Sequence, residues 1–121
     1  MKKLGDLEIY QIALELSDMG WSIFQTLPKQ FQYDIGSQFL RATDSIGANI
    51  AEGYGRYHYK DSMKFYYNYN ARGSLWEVKH WLLLLHKRDF VDYETFQSFL
   101  FKIETLGKKL NNFIGRLKNA H

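Results

Sequence analysis

The stretch YETFQSFLFKIETLGKKLNNFIGRL, Tyr93 to Leu117, places Phe96, Leu100, Ile103, Gly107, Leu110, Ile114 and Leu117 at alternating spacings of 4 and 3 residues. That period is the seam of a helix packed nearly parallel to its neighbours, and it predicts a long bundle helix. Working back from it, proline and glycine divide the chain into three more periodic stretches. In the first, Asp6 is expected to cap a helix whose stripe is Ile9, Ile12, Leu16, Met19 and Ile23, ended by Leu27-Pro28. The second carries Ile35, Phe39, Ala42, Ile46 and Ile50 on one face. No apolar/polar alternation bounded by turn residues suggests a strand. Connections near residues 28 to 34, 55 to 59 and 88 to 92 are short, and short connections between long helices require antiparallel neighbours. The expected fold is therefore all-α: one domain over residues 1–121, an up-down-up-down four-helix bundle.

The third stretch, about Lys60 to Lys87, is apolar or aromatic nearly all round, with Met63, Phe65, Tyr66, Tyr67, Tyr69, Leu75, Trp76, Val78 and Trp81 to Leu85. A four-helix bundle has no central helix to use so much apolar surface. The surplus points to contact with a second chain, and so to a homo-oligomer.

The composition, 45% hydrophobic and 24% charged over 121 residues, is that of an ordinary globular domain large enough to form a core without a staple. No cysteine is present, which excludes disulfides, thiol nucleophiles, thiolate zinc sites and iron–sulfur clusters and agrees with a cytoplasmic location. The start Met1-Lys2-Lys3 is positive, but Glu8, Gln11, Glu15 and Asp18 break any signal-peptide core. The longest apolar run, Trp81 to Leu85, is far below the roughly 20 residues needed to span a bilayer, so no membrane association is expected. Charge is uneven: residues 1–53 carry 4 basic and 7 acidic side chains, residues 54–121 carry 12 and 6. The basic half could attract a polyanion, or could simply be a solvated face.

On the second helix Arg41, Ser45, Asn49, Glu52 and Arg56 form a polar ribbon beside the apolar stripe. Two readings are open. The ribbon could be a partly buried hydrogen-bond network that fixes register, or a surface on which arginine forks recognise an anion. The run Ser45-Ile46-Gly47-Ala48-Asn49-Ile50-Ala51-Glu52-Gly53-Tyr54-Gly55-Arg56, with Arg72-Gly73-Ser74-Leu75-Trp76-Glu77 on the third helix, resembles the four-helix-bundle proteins encoded in intervening sequences of bacterial large-subunit ribosomal RNA genes. The resemblance spans nearly the whole chain. It is also to a related protein, the accessory variability determinant of diversity-generating retroelements, a barrel-shaped pentamer that binds nucleic acid and a reverse transcriptase. It implies a bacterial, non-enzymatic, ring-like homopentamer, with Arg41, Ser45, Asn49, Glu52, Arg56, Ser74 and Glu77 as its polar signature, joined by Gly53, Gly55 and Gly73. Gly47 stands where the family commonly has proline, and Asp44 where it has a small or apolar residue. Gly73 and Ser74 would admit a close neighbouring helix, with Glu77 expected as a buried partner of Arg41 or Arg56.

Catalytic patterns are thin. Glu77-x-x-His80 is half of a di-iron motif, but His58, His86 and His121 supply no second copy. Glycine-rich phosphate loops, nucleophile elbows and zinc motifs do not occur, and Gly53-Tyr54-Gly55 reads as a helix stop. His80, beside Trp76 and Trp81, reads as a packed core or interface histidine. No cofactor, metal or catalytic residue is expected. The leading reading is a homo-oligomeric scaffold that presents Lys102, Lys108, Lys109, Arg116 and Lys118 of the fourth helix to structured RNA or DNA and could take a protein partner as well. Tyr57 and Tyr59 could stack on unpaired bases, or just cover a helix end. The competing reading is a protein–protein interaction module without nucleic acid, its aromatic third helix serving assembly alone. Convergence of those lysines with Arg56 or Lys60 on one surface would favour the first reading, and scatter among acidic groups the second.

Overall fold

The computed structural model describes residues 3–56 and 60–119, with the side chains of 60, 61, 65, 118 and 119 left aside. Among the described residues every regular element is helical and four long helices carry the chain: α1 (Glu8–Thr26), α2 (Ser37–Gly55), α3 (Arg72–Lys87) and α4 (Tyr93–Asn119). α1 packs on α2 and α4, and α3 packs on the same two helices, so all four surround one buried apolar cluster.

α1 buries Ile9, Ala13, Leu16, Gly20 and Ile23, with Ile12 and Met19 half-buried at its margin. Its N-cap is Leu7 and not Asp6. Asp6 sits one turn earlier, in a 3₁₀ turn at Leu4–Asp6 where its carboxylate accepts the Lys3 N–H at 3.2 Å. Leu7 is itself buried, and its N–H reaches the Leu4 carbonyl at 3.1 Å, so the chain turns one residue further before the α-helix opens.

The connection expected at 28 to 34 is largely helical. Pro28 takes the N-cap position of a short turn at Lys29–Phe31, with its ring fixing φ at −56°. A π-helical segment at Gln32–Gly36 follows, bent at Asp34 (φ −117°, ψ −106°). The Gln32 amide donates to the Phe24 and Leu27 carbonyls at 3.1 and 3.2 Å, satisfying acceptors that the end of α1 leaves open. Gly36 is required by approach: a Cβ there would lie 2.8 Å from Leu27 Cδ1 and 2.9 Å from the Phe31 carbonyl oxygen.

α2 buries all five of its expected core residues, Ile35 on its approach and Phe39, Ala42, Ile46 and Ile50 within it. It also buries Thr43, whose hydroxyl donates to the Phe39 carbonyl at 2.8 Å. The stop expected at Gly53-Tyr54-Gly55 falls at Gly55, and Gly53 itself lies inside the helix. A Cβ at Gly53 would lie 2.9 Å from the ring of Tyr67. Tyr67 is 1% exposed and meets Phe113 of α4 edge-on, with ring centroids 5.0 Å apart.

Burial holds the Tyr67 phenol above its ordinary pKa, with Tyr54 adding to the effect. The unfolded chain therefore ionises at this position first, and stability should fall as pH rises past about 10. Urea midpoints measured from pH 9 to 11 should drop less steeply in Tyr67→Phe than in the wild type.

Tyr67 belongs to a second π segment, Phe65–Ala71, which joins Lys60–Lys64 to α3. Along this path the buried residues are Met63, Tyr67, Ala71, Leu75, Val78, Leu82 and Leu85. The first three steps are of 4 residues, and in an α-helix each overshoots a turn by about 40°. The wider π turn absorbs the drift and keeps them in the core.

α3 ends at Arg88, with the Asp89 N–H on the His86 carbonyl (3.0 Å) and the Phe90 N–H on the Leu85 carbonyl (2.9 Å). This paired closure sets Asp89 at φ 63°, a conformation that costs a residue with a Cβ. Asp89→Gly should gain about 0.5 to 1 kcal/mol, seen as a higher thermal midpoint.

On α4 the core stripe is Phe99, Ile103, Leu106, Leu110 and Ile114. Phe96, Leu100 and Leu117 are half-buried at its edge, and Gly107 faces open space. The period is the expected one, but the helix is turned by part of a residue. Phe99 and Leu106 bring apolar volume that Leu100 and Gly107 do not.

Candidate nucleic-acid interface

The polar ribbon resolves into separate small groups. The Ser45 hydroxyl lies 2.7 Å from both the Ala42 carbonyl and the Ser74 hydroxyl. A carbonyl only accepts, so Ser45 donates to Ala42 and Ser74 donates to Ser45, tying α3 to α2. Asn49 donates to the Ser45 carbonyl at 2.8 Å. Further along, Glu52 Oε1 accepts from the Arg56 guanidinium at 2.9 and 3.3 Å, with both side chains 42 to 49% exposed. The same guanidinium donates to Ser62 at 3.3 Å and sits 4.9 Å from the centre of the Tyr66 ring. The Glu52 hydrogen bond, helped by Tyr66, holds the Arg56 proton more tightly than usual.

Glu77 is a correction. It is exposed, and its carboxylate accepts the Trp81 indole N–H on its own helix at 3.1 Å, meeting neither Arg41 nor Arg56. Arg41 is exposed too. The cause is rotation, since Ser74 is the residue that α3 turns toward α2. Glu77→Ala should change folding stability by less than about 0.5 kcal/mol in chemical denaturation. Gly73 faces open space within the chain, so any close helix there belongs to another molecule. His80 is exposed, edge-on to Trp81 with centroids 4.9 Å apart, and is not a core histidine.

The basic residues of α4 do not form one field. Lys102 pairs with Glu15, and Lys109 pairs with Glu8 at 2.9 Å. The two pairs stand 7 residues apart on both α4 and α1, so Lys102 and Lys109 are each offset by an acidic partner. Arg116 lies 5.8 Å from the Phe113 ring centre, on the same side. Lys108 faces the other way, into a groove of about 410 Å³ between α3 and α4 whose lining includes Arg72, Trp76, Lys79, Glu104 and Asn111. Tyr57, His58 and Tyr59 lie outside the described residues, as do the side chains of Lys60 and Lys118.

In the sequence Trp76 counts as apolar surplus, Arg72 enters only within the third-helix run and Lys79 not at all. Their spacing of 4 and 3 residues, which sets all three on one helical face, was the available signal. Among the described residues no group of three or more metal-ligating side chains comes together, and no helix is long and apolar enough to cross a membrane.

Comparison with known proteins adds a lineage to this geometry. A family model described as 23S rRNA-intervening sequence protein matches residues 5–112. A similar solved structure is that of a protein of unknown function from the S23 ribosomal protein family of Bacteroides thetaiotaomicron VPI-5482. It is 24% identical, covers 88% of this chain and 97% of its own, and has a TM-score of 0.80, which shows a shared fold. No curated protein matches the chain.

Proposed function

Because the chain belongs to the family of 23S rRNA-intervening sequence proteins, we propose that it is a non-enzymatic, homo-oligomeric scaffold that presents cationic surface to nucleic acid in the bacterial cytoplasm. The observation that carries this reading is apolar surface on diagonally opposite sides of the molecule. α1 leaves Leu14 and Trp21 exposed at 47% and 50%, and on the other side Tyr69, just before α3, and Leu83 within it are exposed at 66% and 45%. Two unlike patches facing away from each other suit head-to-tail contact, the kind that closes into a ring when the rotation between copies permits. Gly73, between Tyr69 and Leu83, leaves room for a neighbouring helix. Short connections favour the antiparallel up-down-up-down order, and a pentamer is the ring size proposed from the resemblance to the retroelement protein.

The pairing of Lys102 with Glu15 and of Lys109 with Glu8 supports a second reading, a protein-interaction module without nucleic acid. Light scattering of the intact chain, with and without a short RNA at low and high salt, separates the two. A five-fold mass that rises with RNA at low salt only supports the scaffold. The same mass indifferent to RNA supports the protein module. A monomer overturns assembly. Trp21→Glu and Leu83→Glu should each break the ring while leaving the helical circular dichroism unchanged.

A further inference from the structure

We propose that the groove between α3 and α4 is a binding site for single-stranded nucleic acid, with Trp76 as stacking platform and Arg72, Lys79 and Lys108 as phosphate contacts. This deepens the nucleic-acid part of the reading above and moves it away from the α1–α4 face. Trp76 is 67% exposed even with the Lys79 ammonium 4.5 Å from its ring centre. An indole held open beside a cation is what an unpaired base and its phosphate require, since every base offers a face to stack and every linkage a charge to neutralise.

The cations are available. Arg72 donates to the neutral amide oxygen of Asn68 at 2.8 Å, and among the described residues none of the three basic groups is in an ion pair. Lys102 and Lys109 differ in just this respect. Glu104 lies in the same groove and disfavours phosphate beside it, which leaves the backbone to the basic groups and directs base edges toward Glu104 and Asn111. Gly107 adds no side chain to the groove, which stays open there. Trp76 stands midway between Tyr69 and Leu83, 7 residues from each, so base stacking and subunit contact compete for this face. Three like charges around it oppose burial against a second copy of a chain whose net charge is already +3.

The probe is a short fluorescein-labelled oligouridine, compared with a duplex of equal length by anisotropy over a salt series, with light scattering on each variant. The wild type should prefer the single strand. Trp76→Ala should weaken binding about ten-fold or more, and Trp76→Phe should restore most of the loss. Replacing Arg72, Lys79 and Lys108 together by alanine should flatten the slope of log K against log salt by about 2. Lys102→Ala with Lys109→Ala should leave affinity unchanged, and Glu104→Gln should raise it.

Equal binding of duplex and single strand, or single-strand binding indifferent to Trp76→Ala, would overturn the groove while leaving a nucleic-acid scaffold standing. Absence of binding to either probe would overturn both. Loss of assembly mass in Trp76→Ala would identify the indole as a subunit contact and overturn the proposal on that ground alone.

Discussion

Phe39→Ala is expected to lower the unfolding free energy by about 4 kcal/mol, much of the margin of a domain of this size. Phe39 is fully buried on α2, and its ring meets that of Phe99 on α4 with centroids 5.5 Å apart at 50°. These helices face each other across the core, so the pair bridges one of the two diagonals along which adjacent-helix packing gives no support. Truncation leaves a cavity bounded by four helices, none of which can close it alone. Urea unfolding followed by circular dichroism would show the loss. A change under about 1.5 kcal/mol would mean that the core collapses around the gap and that the aromatic pair contributes little.

Gly53→Val should cost about 3 kcal/mol for the opposite reason, overfilling. The added carbon would stand 2.9 and 3.0 Å from two atoms of the Tyr67 ring, which Phe113 confines on another side. Neither ring nor helix has room to withdraw. Tyr67→Leu removes the obstacle, so the double variant should be more stable than the sum of the single losses predicts, by roughly 1 kcal/mol or more in a double-mutant cycle. Strict additivity would show that Gly53 is needed for some reason other than the ring.

What could be read from the chain follows from what determines each feature. α2 was legible because Phe39, Ala42, Ile46 and Ile50 hold one stripe of apolar volume, while the neighbouring line through Leu40, Gly47 and Ala51 is made mostly of small residues. α4 was legible in period but not in phase. Phe99 stands beside Leu100 and Leu106 beside Gly107, so two stripes a fraction of a turn apart fit equally well until the core volume selects one. Gly53 looked like punctuation because a glycine near a helix end has two explanations, and the second depends on a ring 14 residues away.

The site was less legible than the fold, because charge depends on partners. Lys102 and Lys109 are indistinguishable from Lys108 in sequence, yet Glu15 and Glu8 lie against the first two and not the third. Pairing across helices is set by rotation of whole elements, which local spacing does not encode. The polar signature behaves likewise. Ser45, Asn49 and Ser74 gather at the contact of α2 and α3, whereas Arg41, about 40° round its helix from Ser45, and Glu77, about 60° round from Ser74, already end on the outer surface.

The wide turn at Phe65–Ala71 has a further consequence for how the chain tolerates changes in length. A π turn holds one residue more than the α-helix around it needs. Removing one residue from this stretch would let the backbone relax into ordinary helix while the flanking segments, Lys60–Lys64 and Arg72–Lys87, kept nearly the same rotational setting. The same deletion within Arg72–Lys87 would swing everything upstream by about 100° and carry Met63 and Tyr67 out of the core. The segment thus acts as a slack link: the place in this helical hairpin where a single-codon loss can be absorbed by geometry instead of being transmitted to the packing.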